Sequence, residues 1–86
     1  MARADRTLAR MRENPRDWRI EGIEAVCRRY GLKITAPTRG SHFKVRHPSL
    51  PDILTIPAGR PINPVYVRRF VAMIDSLEGK DHEDKA

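Results

Sequence analysis

Apolar residues recur at helical spacing in two long stretches of the chain and at strand spacing in three short ones between them. Ile20, Ile23, Val26, Cys27 and Tyr30 follow the spacing of one helical face, which predicts a helix closed by Gly31 at its C-cap. Arg28 and Arg29 fall in its last turn, where cations complement the helix dipole. Val67, Phe70, Val71, Ile74 and Leu77 make a second stripe, with Arg68 and Arg69 turned outward. Asn63 suits the N-cap of this helix and Pro64 its first position, and Gly79 with the charged residues after it is expected to end it. A thinner stripe, Leu8 and Met11, predicts a short helix from Asp5 to Glu13 with Asp5 as N-cap. Asn14-Pro15-Arg16-Asp17 then reads as a turn. Trp18 either packs over the start of the next helix or offers a ring on which a base stacks.

Between the two strong helices, three segments alternate in polarity: Leu32 to Thr35, Ser41 to His47, and Asp52 to Ile56. Pro37, Pro48 and Pro57 follow them, and the short connections suit antiparallel hairpins. The order helix, three strands, helix, with an extra helix in front, predicts an α+β sandwich. Helices should cover one face of a small antiparallel sheet and leave the other free for a ligand.

With 86 residues, the chain has room for one small domain and no separate cofactor domain. Three parts are expected: a basic helical extension over 1–13, the main domain over 14–77, and a charged, disordered tail over 78–86. No apolar run approaches the length of a membrane span, and no apolar stretch follows the charges of the first residues as a secretory signal requires. Cys27, the sole cysteine, has no internal partner for a disulfide, which fits a reducing compartment; a cytoplasmic location is expected. Glu78 to Ala86 hold four acids and two bases, so the total of +6 leaves +8 on residues 1–77. Such a charge favours polyanions as partners: nucleic acid, an acidic protein surface or anionic lipid.

Candidate chemistry concentrates in Arg39-Gly40-Ser41-His42-Phe43-Lys44-Val45-Arg46. Alternation along a strand puts His42, Lys44 and Arg46 on one face and Phe43 and Val45 on the other, as core. Gly40, without a Cβ, lets a backbone or a phosphate come close. A group that titrates near neutrality between cations suits a phosphodiester, and suggests a ribonuclease. His47 falls on the opposite side and reads as a structural hydrogen-bonding residue at a strand end; His82 lies in the tail. Cys27, His42 and His47 lack the spacing of a zinc site, so neither metal nor cofactor is expected. Lys33, Arg39, Arg60, Arg68 and Arg69 either extend a phosphate-binding surface or are simply solvated, and Glu21 and Glu24 read as solubilising charges.

Asn14-Pro15-Arg16-Asp17-Trp18, Arg29-Tyr30-Gly31-Leu32, Gly40-Ser41-His42, Leu54-Thr55-Ile56-Pro57 and the helix from Pro64 together resemble the HicA toxins. The resemblance covers about residues 14–77. It implies a double-stranded-RNA-binding-domain-like fold and a type II toxin–antitoxin role. The toxin, monomeric on its own, would be an mRNA interferase that cleaves without metal and is inhibited by a HicB-like antitoxin. By the same match His42 is the catalytic residue, with Gly40 and Ser41 shaping its site. Many relatives carry further histidines directly after the motif and after the proline that ends the third strand, where this chain has Phe43 and Ala58.

RNA supplies its own nucleophile, so a metal-free ribonuclease needs proton transfer and charge stabilisation. Histidine provides the first, worth about 10²–10⁴-fold. Lys44 and Arg46 would offset charge growing on the phosphorane, and Ser41 would orient the imidazole or bind a phosphate oxygen. A non-catalytic RNA-binding module and a protein-interaction domain docking an acidic partner are the competing expectations.

Overall fold

The computed structural model describes residues 3–57 and 59–85. Its elements run α1 (Arg3–Glu13), α2 (Ile20–Tyr30), β1 (Lys33–Thr35), β2 (His42–Arg46), β3 (Leu54–Pro57) and α3 (Pro64–Lys85). The strands form one antiparallel sheet in the order β1-β2-β3. Val45 lies opposite Ile34 on one side and Leu54 on the other, and Phe43 lies opposite Ile56. Residues directly opposite each other share a face, so these five side chains make one apolar surface.

The helices pack on that surface, α2 against β1 and α3 against β3. Val45 and Ile56 are fully buried beneath them with Ile23, Val26, Cys27, Val67, Phe70 and Ile74, while Ile34 and Leu54 are partly buried at the sides. Phe43 departs from its expected place in the core and is only half-buried. It stands one residue from the start of β2, at the margin of the apolar face.

Two residues suffice to hold α1: Leu8 and Met11 are buried between α2 and α3. Asp5 is not the N-cap of this helix, which begins at Arg3. Its carboxylate reaches across to α2 instead, accepting the Tyr30 hydroxyl at 2.8 Å and lying 3.3 Å from Arg29 Nε. Arg12 pairs with Asp75 of α3 at 2.6 Å. Partly exposed ion pairs of this kind contribute at most about 1 kcal/mol each, so apolar burial is what fixes the helix.

The turn after α1 is held by side-chain and backbone bonds together. Asn14 Oδ1 accepts the Arg16 N–H at 3.1 Å, Asp17 takes a positive φ of 64°, and the Trp18 indole N–H donates to the Asn14 carbonyl at 2.7 Å. The Trp18 ring then lies on α2 at Gly22, where an added Cβ would come within 3.1 Å of the indole. Trp18 thus packs over the start of the helix, as one of its two expected roles requires. Its carbonyl accepts the Ile62 N–H at 2.8 Å, which draws the loop before α3 inward and buries Ile62.

Both strong helices end or begin as their sequences require. Gly31 adopts φ 74° and donates its N–H to the Cys27 carbonyl, and Asn63 Oδ1 accepts the Val65 N–H at 3.0 Å. The end of α3 differs from expectation: it continues through Gly79 to Lys85. A glycine inside a helix costs only about 1 kcal/mol relative to alanine, and the residues after it include no proline to stop the helix.

Two outcomes test this packing. Phe70→Ala should lower the unfolding free energy measured in urea by about 3–5 kcal/mol, because the ring is fully enclosed. Burial pushes the Cys27 thiol up to about 12, so it should resist alkylation near pH 8 in the native protein and react promptly once denatured.

Candidate functional site

The uncovered face of the sheet is built from the residues that alternate with the core set. Lys33 and Thr35 come from β1, His42, Lys44 and Arg46 from β2, and Thr55 from β3, and all six are exposed. The register sets their neighbours: Lys44 stands between Thr35 and Thr55, Arg46 is opposite Lys33, and His42 is opposite Pro57. Side chains two apart along a strand repeat at about 6.7 Å, so Lys44 follows His42 by one such step and Arg46 by two.

The face is strongly cationic. No aspartate or glutamate occurs between Gly31 and Pro51, while Lys33, Arg39, Lys44 and Arg46 all lie in that segment. The ion pairs found among the described residues, Arg12 with Asp75 and Arg29 with Asp5, belong to the helical layer and involve none of these cations. Acids are therefore segregated to the helical side and a field of positive charge is left on the sheet.

Gly40 and Ser41 form the turn that delivers His42 to the start of β2. Gly40 takes φ 73°, a conformation that side chains rarely adopt, and nothing lies within 4 Å of the place a Cβ would occupy. Conformation, rather than crowding, is what calls for glycine here, and its backbone faces open space. Ser41 is exposed and makes no hydrogen bond to His42 among the described residues, so the expected orienting role for its hydroxyl is not formed. His42 and Lys44 line an open concavity of about 260 Å³ together with Thr35, Ala36, Pro37, Thr38 and Arg39. Arg39 thereby joins the site.

The other candidates separate from it. His47 closes the far end of β2: its Nδ1 accepts the Ser49 N–H at 3.0 Å and its carbonyl accepts the Leu50 N–H at 3.0 Å, the structural role expected of it. Arg68 and Arg69 are exposed on α3, which covers the opposite face of the sheet, and Arg69 lies over the Tyr66 ring at 5.7 Å. Among the described residues, no group of three or more His, Cys, Asp and Glu side chains could hold a metal ion. Likewise, no helix is long and apolar enough to cross a membrane. Ala58 and the side chain of His82 lie outside the described residues. Thr35 and Thr55 are site residues that sequence reasoning missed. Only the pairing register brings them beside Lys44.

Comparison of the chain with family models, curated proteins and solved structures finds no match. The site must be read from its own chemistry. It can attract a polyanion, hold its backbone on several cations, and place an imidazole at one end of that row. Reversing Lys44 and Arg46 to glutamate should weaken binding of single-stranded RNA by well over tenfold at low salt. It should also flatten the dependence of log affinity on log salt by about 0.7 for each phosphate that the variant no longer neutralises. Affinity measured over a salt series by fluorescence anisotropy checks both.

Proposed function

We propose that this chain is a metal-independent endoribonuclease of the HicA toxin type, cleaving mRNA with His42 and silenced by a HicB-like antitoxin. The observation that carries the reading is the exposed His42 on an acid-free cationic sheet face, one strand step from Lys44. The order α2-β1-β2-β3-α3 also supports a double-stranded-RNA-binding-domain-like arrangement, with α1 as an addition.

In this mechanism the ribose 2′-hydroxyl attacks the adjacent phosphorus and the bond from phosphorus to the 5′-oxygen breaks. One proton leaves the attacking hydroxyl and one is delivered to the departing oxygen. His42 moves one of them and water the other, since a single imidazole does not serve both in one concerted step. Lys44, one strand step along, would hold the adjoining phosphate and offset charge growing on the phosphorane from there, and Arg46 would hold the backbone beyond it. A partner that silences such a site does so most simply by covering it with acidic groups, which would bury His42 in the complex.

A second reading, a non-catalytic RNA-binding module, draws on one observation: His42 has no side-chain hydrogen-bond partner among the described residues to fix its ring. Replacement of His42 separates the two. His42→Ala should slow RNA cleavage at least about a hundredfold and abolish growth arrest on induction in bacteria. Because the side chain is exposed and outside the core, stability should stay within about 0.5 kcal/mol of the parent. Undiminished cleavage by the variant would favour the binding module and a contaminating nuclease.

Cleavage by the parent protein should also persist in excess chelator. Activity lost to chelator and restored by magnesium would overturn the histidine mechanism.

A further inference from the structure

Lys33 and Arg46 are direct partners across β1 and β2, on the open face, and both are exposed. Like charges directly opposite each other destabilise an antiparallel pair. Nothing offsets the repulsion locally: neither residue belongs to an ion pair among the described residues, and the surrounding segment contains no acid. A sheet that keeps such a pair at a fixed register holds two cations side by side on the same face. That is a conflict between local stability and something else, and such conflicts gather at functional sites.

We propose that Lys33 and Arg46 form an anion clamp that grips an RNA phosphate two nucleotides from the one cleaved at His42. The assignment rests on the reading of this face as an RNA site and adds a subsite to it. Arginine presents a planar fork to phosphate oxygens while lysine adds a compact charge, so together they suit one tetrahedral anion approached from two sides. The spacing fits a row of phosphates: His42, Lys44 and Arg46 rise along β2 in two equal steps of about 6.7 Å. Consecutive phosphates of an extended strand repeat at a comparable interval. The scissile phosphate then lies at His42, the next at Lys44 between Thr35 and Thr55, and the third in the clamp.

Two consequences follow. The strand row extends to one side of His42, because β2 begins there, while Arg39 before the strand adds a single cation beside His42. Affinity should therefore grow more when an oligonucleotide is lengthened along the row than when it is lengthened on the other side of the scissile phosphate. Unpaired RNA should also be preferred. Attack in line with the leaving oxygen needs a nucleotide freed from the stacked A-form backbone, whose geometry keeps the 2′-hydroxyl off that line. No aromatic side chain projects from the open face, so bases are not gripped by stacking and the protein holds the backbone.

The test compares the parent protein with the Lys33→Gln/Arg46→Gln variant, using RNA oligonucleotides that carry a 2′-deoxy sugar at the scissile position. These bind without being cut, so the clamp is assayed whether or not the protein is a nuclease. For the parent, lengthening the probe from three nucleotides to four on the favoured side, which adds the phosphate assigned to the clamp, should raise affinity about tenfold, and the variant should lose that gain. Thermal melting at low salt should move the opposite way, with the unliganded variant melting at or above the parent because the repulsion is gone. Affinity lost together with stability would mark the pair as structural and overturn the clamp. Equal affinity of parent and variant for the longer probe would also overturn it. If parent and variant differ as expected but neither cuts unmodified RNA, the clamp stands and the nuclease reading falls.

Discussion

Burial of one face of a small sheet is the constraint on which everything else depends. Val45 and Ile56 lie fully enclosed beneath α2 and α3, on the one face of the sheet that the helices cover. The helices occupy that side alone. Because residues alternate along each strand, committing Val45 to the core commits Lys44 and Arg46 to water. A one-residue slip of β2 would bury both cations and expose the valine. The hydrophobic core therefore also acts as the device that aims the charged row outward.

Helix-level features are legible from residue order because their causes are local. Gly31 at a C-cap, Asn63 at an N-cap and the stripe from Val67 to Ile74 each act within a turn or two of chain. The strands are legible by alternation and nearby prolines, and the outward placement of His42 follows. The third, however, runs from Leu54 and includes Pro57 rather than spanning Asp52 to Ile56 and stopping before it. What sequence order does not encode is which residues become neighbours from distant elements. Asp5 reads as a cap because its bond to Tyr30, made between helices, is invisible along the chain. The pairing of Lys33 with Arg46, and of Thr35 and Thr55 with Lys44, depends on the register and emerges only once the sheet is assembled. Phe43 shows the complementary error: alternation gives the correct face but not how far the helices extend over it.

Charge is sorted by layer, and the sorting gives the two sides of the molecule different work. On the helical side, acids are consumed in tying helices together, as Asp5 does with Tyr30 and Arg29 and Asp75 with Arg12. On the sheet side, cations stand without acids and a histidine terminates their row. Removal of a helical acid would cost at most about 1 kcal/mol, whereas removal of a sheet cation would relieve repulsion. Stability and the capacity to bind an anion thus pull in opposite directions on that face.

The two borders of the sheet carry a further consequence. β1 offers only three residues at its free edge and bears an exposed lysine, and β3 ends on Pro57, which has no N–H to donate. Short, charged or proline-ended borders are poor templates for another strand. A sheet this small, open on one face, would otherwise invite edge-to-edge growth into filaments. Here the short, lysine-bearing border of β1 and the proline at the end of β3 make strand addition unfavourable, so what the sheet offers is its cationic face rather than its edges.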